Sequence, residues 1–451
     1  MTTTLQTGKP MFTGAQLRTL LVPLVIEQIL VVAVGMADTM MVSAVGEAAV
    51  SGVSLVDMLN LLISNLFAAL ATGGAVVTSQ FLGARRNAEA QRSAGQLVLL
   101  TVLISLAVAV LSVGLRSPLL RLAFGAIEDD VMDAAMLYWF ITALSYPFLA
   151  VYNASAALFR CQNNTRISML ISAGMNVFNI AGNALCVYVL RLGVAGVAIP
   201  TLLSRVLGCL VLTGLLCQEH NALHLRVQDV LHVEPGLVRR ILRIGIPSAV
   251  ENSLFQLGRI MVVGIIAGFG TVQIAANAVA NNLDGLGCIP GDAVNLAMIT
   301  VVGRCIGAGD TKQAAHYAKK LVGLVYLMGG VLNISILLSL PLLLNLYTLS
   351  AETAALATTL VWIHDGFAML LWPASFTLPN ALRAAGDVRY TMSVSIFSIW
   401  AFRFGFGYLL GAQMGMGAVG IWIAMLLDWS FRGVCFIVRF ARGKWKEKKV
   451  I

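Results

Sequence analysis

The sequence predicts an all-α polytopic membrane protein with twelve transmembrane helices in two pseudo-symmetric six-helix lobes, related as parallel repeats. Three observations carry that expectation. Hydrophobic residues fill 59% of the 451 positions and charged residues only 11%. Apolar stretches long enough to cross a bilayer follow one another from end to end, and the second half of the chain repeats landmarks of the first.

The charged fraction is roughly half that of a globular protein, which leaves too little polar surface to clothe a soluble body. The net charge of +9 is not a nucleic-acid signature. Lys and Arg sit in short intervals between apolar runs instead of forming a stripe with interleaved aromatics. Seven cysteines, without a CxxC pair or a histidine at ligand spacing, read as reduced apolar fillers, and no metal site or cofactor is expected. The first apolar run carries Pro, Glu and Asp and lacks a small-residue cleavage site, so it reads as a retained helix in a chain starting near Met1.

Counting segments of about twenty apolar residues gives spans at 17–44, 50–80, 94–115, 132–158, 167–189 and 194–217, then 238–267, 272–303, 319–346, 354–382, 390–411 and 416–439. The chain divides into an N-terminal lobe (1–217), an interlobe loop (218–237) and a C-terminal lobe with a basic tail (238–451). With both termini placed in the cytoplasm, the basic residues outside the spans fall on that side, from Lys9 and GARRNAEAQR to RFARGKWKEKK. Only Arg116, Arg121 and Arg191 fall opposite, the asymmetry of a multi-pass inner (plasma) membrane protein.

The repeat is read from pairs half a chain apart: Pro23 with Pro247, Glu27 with Glu251, Gly46 with Gly270, Gly83 with Gly307, Gly193 with Gly417 and Gly196 with Gly420. Arg160 with Arg383 and Arg166 with Arg389 follow one residue out of that register. Six helices is an even number, so both halves enter the membrane from one side, and a cavity between the lobes is the natural solute path.

Pro23 and Pro247 each remove a helix hydrogen bond and read as helix-bending positions. Each is followed one turn later by a glutamate, so Glu27 and Glu251 are expected to face the interlobe space at similar depth, with helix packing as the alternative. Asp38 lies eleven residues beyond Glu27, close to three helical turns, which puts both carboxylates on one face. A carboxylate at mid-membrane costs on the order of 3 kcal/mol, so each calls for a function or a partner. Asp57, Asn60 and Ser64 in helix 2, and Asn277, Asn281 and Asp284 in helix 8, form equivalent polar stripes. They read as cavity wall, or as interhelical hydrogen-bond seams, and Asn176, Asn179 and Asn183 of helix 5 carry the same two readings. Asp428 and Arg432 are spaced as an i, i+4 ion pair that Arg403 can join. Arg205 and Arg259 have no evident partner. His364 beside Asp365 is either a proton relay or a packed histidine.

Taken together, these segments resemble the multidrug and toxic compound extrusion (MATE) family along nearly the whole chain. The resemblance rests on LVPLVIEQIL, MADTMMVSAVG, SQFLGARRNAEAQRSAGQ, LFRCQNNTRISML, NVFNIAGN and GVAGVAIPTLLSRVLG in the first half. RIGIPSAVENSLFQLGRI, VVGRCIGAGDTKQAAHYAKK, ALRAAGDVRYTM and MGAVGIWIAMLL continue it in the second. It implies an antiporter, a secondary active exporter whose lobes open alternately, exchanging an inward cation for an outward organic solute. Asp38 matches the family's helix-1 acid, associated with cation or proton binding, and Glu27, Glu251 and Asp365 join it as cation- or proton-coupling candidates. The chain departs from the sodium-coupled branch at Gln256, where that branch carries its helix-7 Glu, and Gln256 is counted with the cavity wall. Asp365 lies two turns from that branch's helix-10 Asp, and Asn183 stands where another branch has a helix-5 Asp. Both H⁺ and Na⁺ remain open as the coupling ion.

The expected function is multidrug efflux: export of amphipathic organic compounds, cationic ones foremost, by a monomer whose other partner is membrane lipid. A flippase for lipid-linked glycans is the alternative, although such proteins carry extra helices and a more cationic cavity. Enzyme readings lack GxSxG, HExxH or a phosphate-cradling loop. A channel or receptor would not need two lobes with paired acids.

Overall fold

The computed structural model describes residues 10–125, 128–347 and 349–451. Lys9 and the expected start at Met1 lie outside the described residues. Among the described residues the regular structure is entirely helical. Eleven helices are long and apolar enough to cross a membrane, and a bent pair supplies the twelfth span. In the first half they are α1 (Gly14–Ser43), α2 (Glu47–Gly83), α3 (Asn87–Gly114), the pair α4 (Asp129–Leu144 and Tyr146–Cys161, bent by 46°), α5 (Thr165–Val189) and α6 (Ala195–Leu216). In the second they are α7 (Pro235–Ala267), α8 (Thr271–Gly307), α9 (Thr311–Leu344), α10 (Ala351–Ala384), α11 (Val388–Gln413) and α12 (Gly417–Ala441).

The count of twelve matches the sequence expectation, and the helices overrun the apolar runs mainly at the end that carries the basic loops. There the backbone keeps its hydrogen bonds after hydrophobicity has ended. At α1 the extension has a local cause, a capping box in which Thr13 and Gln16 satisfy each other's backbone N–H groups. The turns repeat as the helices do. Gly46 (φ 138°) and Gly270 (φ 97°) open α2 and α8 at equivalent positions, in backbone that side-chain-bearing residues rarely adopt.

Pro23 and Pro247 lie inside uninterrupted helices. The sharp bend is at Ser145, just ahead of Pro147, and wide π turns occur at Leu185–Val189, Pro373–Thr377, Ile399–Phe406 and Leu409–Gln413. Losing one hydrogen bond to proline does not end a helix whose neighbours hold it.

Packing distinguishes the two ends of the molecule. Near the basic loops one hydrophobic core runs through both lobes, from Leu20, Leu24, Phe81 and Phe159 to Ile241, Val301, Leu382 and Phe436. Toward the other end each lobe has a core of its own, around Phe67, Trp139 and Tyr146 in one and Leu283, Leu360 and Trp422 in the other. The lobes are therefore joined at the basic end and separately packed at the opposite end. Backbone bonds from Phe12 to Tyr317 of α9 and a 2.7 Å bond from Met11 N to Gln313 tie the N-terminal segment to the C-terminal lobe at the joined end. The tail returns to that end too, where Asp387 accepts from Arg439 (2.7 and 3.1 Å) and Trp445 is buried.

At the joint α2 packs along α7, where a Cβ on Gly73 would strike the Gly245 and Ile241 backbone, and crosses α8 at their repeat-equivalent glycines. A Cβ on Gly83 would collide with the Arg304 carbonyl, and one on Gly307 with that of Gln80, residues that are themselves equivalent in the repeat. Gly303 meets Ser79 in the same symmetric manner, and Gln80 Nε2 donates to the Ala384 carbonyl at 2.7 Å. Such backbone proximity is possible only without side chains. Overpacking a contact of this kind costs about 1–3 kcal/mol, comparable to the difference between two states of a mobile protein. Gly307→Ala is therefore expected to part the lobes at this end. Spin labels at Asn87 and Lys312 in a cysteine-replaced protein should report an added longer-distance population, and an unchanged distribution would show that the crossing does not hold the joint.

Candidate functional site

Above that crossing lies a cavity of about 500 Å³. Its wall is built by α1 (Glu27, Gln28, Val31), α2 (Ser64, Asn65, Thr72), α4 (Tyr152, Asn153, Arg160), α5 (Ser172, Met175, Asn176) and Arg205 of α6, and α8 closes it with Leu296, Ile299 and Thr300. The cavity is thus set in the face of the N-terminal lobe with the other lobe as its far wall. Among the described residues its charged side chains are one glutamate and two arginines. Glu27 is 4.0 Å from Arg160 and accepts from Ser168 at 3.3 Å, a loose pairing that leaves carboxylate oxygen toward the cavity. Arg205 donates to Ser145 at 2.7 Å, in the bend of α4.

Beside the cavity, the N-terminal lobe holds a polar centre. Asn183 Nδ2 donates to Asp38 at 2.7 Å. With its amide nitrogen turned to Asp38, as a carboxylate requires, Asn179 donates at 3.0 Å and accepts from Thr201 at 3.0 Å. Asp57 accepts from Asn60 and Tyr138, both at 3.1 Å, and Asn60 accepts from Tyr146 at 2.7 Å. Arg205 lies within Coulombic range of both Asp38 and Asp57 and so links this centre to the cavity. Two carboxylates held by neutral donors form an arrangement that can take up a cation or a proton.

The C-terminal lobe is organised differently at equivalent positions. Glu251 is 2.7 Å from Arg383 and 3.9 Å from Arg432 and accepts from Ser395 at 2.5 Å, all within buried surroundings. Asp428 pairs with Arg403 (3.4 Å) and accepts from Ser398. Arg432 also lies over Phe376, 4.5 Å from the ring centre. Asp284 of α8 and Asp365 of α10 flank His364, at 2.7 Å from Nε2 and 2.8 Å from Nδ1. Asn277 accepts from Trp422 at 2.9 Å, and Asn281 donates to the Asn277 carbonyl at 2.8 Å.

Measured against the sequence reading, the structure separates the candidates into three groups. Of the cavity and coupling residues named from sequence, Glu27 and Asn176 line the cavity. Asp38, Asp57, Asn60, Asn179 and Asn183 come together in the N-terminal centre, as hydrogen-bonding partners more than as open wall. Gln256, Asn277, Asn281 and Asp284 are absent from the cavity wall.

Two further expectations need correction. Glu251 does not share the cavity with Glu27, because Arg383 and Arg432 enclose it inside its own lobe. Arg403 joins Asp428 as expected, but the salt bridge of Arg432 runs to Glu251 and not to Asp428. Sequence reasoning also missed Tyr138, Tyr146 and Thr201, and it noted Arg160 and Arg205 without placing them at the cavity. For Arg160 a signal existed. Its recurrence as Arg383 runs parallel to that of Glu27 as Glu251, with opposite charge.

The comparisons agree with this architecture. The MatE family model matches the chain twice, over residues 23–185 and 247–409. The chain is 30% identical to the transporter YisQ of Bacillus subtilis over 94% of each chain. It is 25% identical to the probable multidrug resistance protein NorM of Thermotoga maritima, over 96% of this chain and 93% of that one. Among solved structures, a MOP-superfamily transporter from Pyrococcus furiosus superposes with a TM-score of 0.86 at 20% identity, over 95% of this chain and 94% of the other. With one family model covering both halves and full-length relatives on either side, the chain belongs to the MatE family of multi-pass membrane transporters, the multidrug efflux proteins.

Proposed function

We propose that the protein is a secondary active antiporter of the inner membrane, acting as a monomer with both termini in the cytoplasm. It exports amphipathic organic solutes in exchange for H⁺ or Na⁺ by alternating access of its two lobes. The observation that carries this reading is the cavity of about 500 Å³ between N-terminal lobe and α8, above a glycine crossing and beside the Asp38 centre. A solute site, a closed gate and an ion-competent centre are thereby contiguous. With the basic loops cytoplasmic, the closed end faces inward and the separately packed ends face outward. Binding a cation at Asp38 and Asp57 would draw them away from Arg205 and change the field in the cavity, so ion and solute would compete through one arginine.

Among the described residues the cavity's charged side chains, one glutamate against two arginines, give a cationic solute only Glu27 to bind, so a panel should include zwitterionic compounds beside organic cations. Relatives named as multidrug resistance proteins support drug-like solutes over the lipid-linked glycans of a flippase.

Efflux of a fluorescent solute from proteoliposomes, with ΔpH and ΔpNa imposed separately, tests the reading. Flux must follow at least one gradient, and flux indifferent to both would mean a channel. Asp38→Asn should lower gradient-driven efflux at least about tenfold, the loss of roughly 1.4 kcal/mol of coupling, with folding and membrane insertion intact. Wild-type efflux in that variant would make Asp38 a packing residue.

The two glutamates should now behave differently. Glu27→Gln removes the only acid among the cavity's described residues, and it should weaken binding of an organic cation while leaving thermal stability near wild type. Glu251→Gln strands Arg383 and Arg432 in a buried site, a loss of about 3–5 kcal/mol, and should lower the unfolding temperature. Equal effects of the two variants in both assays would contradict this assignment.

A further inference from the structure

The C-terminal lobe contains a centre with no counterpart in the other lobe. His364 is 1% exposed; its Nδ1 is hydrogen-bonded to Asp365 Oδ1 at 2.8 Å, while Nε2 lies 2.7 Å from Asp284 Oδ1 off hydrogen-bond alignment and has no hydrogen-bond partner. Trp422 and Trp429 of α12 stand edge-on to the imidazole at 5.4 and 4.9 Å. The second oxygen of Asp365, also 1% exposed, has no hydrogen-bond partner.

A neutral imidazole has one N–H and one lone pair. With Nδ1–H donated to Asp365, Nε2 would hold its lone pair 2.7 Å from an anionic Asp284 oxygen, which is repulsive. The arrangement closes only with one more proton, carried by an imidazolium or by a carboxyl beside the neutral ring. Ligand atoms of Asp284, His364 and Asp365 lie within 4.8 Å of one another, but Nδ1 is already hydrogen-bonded to Asp365 and Nε2 is 2.7 Å from Asp284 Oδ1, closer than two ligands of one metal ion sit. A first-row metal at about 2.0–2.2 Å from each ligand needs those atoms spread around it. Sodium has the further handicap that the ring offers it no oxygen.

The geometry points to His364 as the proton carrier of the C-terminal lobe, the residue that makes this centre take H⁺ and refuse Na⁺. The inference rests on the antiport reading for its role in transport, but its charge state stands on the geometry alone. Asp284 and Asp365 belong to different helices, so losing the proton puts a lone pair against a carboxylate and pushes α8 and α10 apart. The proton leaves to water admitted by that separation and returns when the helices close. Charges around the triad come from several elements. Arg259 of α7 and Cys288 of α8 act on Asp284, which in turn acts on Asp292, and Arg403 of α11 senses Asp284. From α12 the ring itself meets the two tryptophans.

The test uses the full-length protein with ¹⁵N-labelled histidine, and the signal missing from His364→Gln identifies the residue among the five histidines. At pH 7 a neutral ring beside a protonated carboxyl, seen by infrared difference, would place the proton on the acid and overturn the proposal; the His364 signal should be the doubly protonated ring. It should be the same in 100 mM NaCl and in choline chloride. A neutral ring with both carboxylates ionised, or a signal that sodium chloride alone converts, would overturn the proposal. Asp365→Asn keeps an acceptor for Nδ1–H but removes a charge, and it should change the protonation signature of the ring even if His364→Gln folds poorly.

In proteoliposomes, His364→Gln should cut ΔpH-driven efflux about tenfold or more while solute affinity stays within about twofold. If wild-type flux ignores both gradients, the antiport reading fails. If ΔpH drives wild type and His364→Gln equally, only the histidine's role fails.

Discussion

The contact on which the structure turns is the crossing of α2 and α8 at Gly83 and Gly307, where backbone meets backbone with no side chain between. Because the residues facing these glycines are also repeat-equivalent, the contact lies on the pseudo-twofold axis relating the lobes. It merges the two hydrophobic cores into one at the basic end and provides the floor beneath the cavity. Around it, Gln80 reaches the Ala384 carbonyl and the N-terminal segment bonds to Tyr317. These are short-range polar contacts, remade easily if the crossing opens. Toward the other end no comparable core joins the lobes.

Around that axis the two halves treat their charges differently. Both bring a glutamate one turn past a proline and an arginine from the end of α4 or α10. In the N-terminal lobe the pair is 4.0 Å apart and faces a cavity. In the C-terminal lobe it is 2.7 Å apart with a second arginine behind it. The C-terminal pair is thus the closer and more deeply buried, and the N-terminal pair is looser and set at a cavity wall. The same divergence recurs at the second polar level, where tyrosines and asparagines hold Asp38 and Asp57 on one side and a histidine lies between two aspartates on the other. The two halves share a scaffold but not the side chains that surround its buried charges.

Much of this was legible beforehand. Apolar run length gave the twelve spans, since lipid sets a minimum length for each, but not the helical extensions beyond the apolar runs at the basic end. The doubled glycines marked both the turns at Gly46 and Gly270 and the crossing at Gly83 and Gly307. Polar residues inside apolar runs named the acids and amides of the N-terminal centre, because an uncompensated polar group in a membrane is too costly to be incidental, but not the hydroxyls of Tyr138, Tyr146 and Thr201 that complete it. The candidate cavity wall was less well read. Periodicity shows which residues share a face of one helix, but not whether that face meets a cavity, a neighbour or an arginine from elsewhere.

What the sequence by itself determined, then, is the set of elements and their twofold relation, because span length, basic-residue placement and repeat register are properties of segments in one dimension. Only the tertiary structure decided which charge neutralises which. Glu251 turning to Arg383 and Arg432, Asp428 to Arg403, and Asp284 to the imidazole of His364 are choices among partners far apart in the chain. In an interior where charge interactions are strong and water is scarce, a difference of an ångström or two decides whether an acid is locked in its lobe or left facing the cavity.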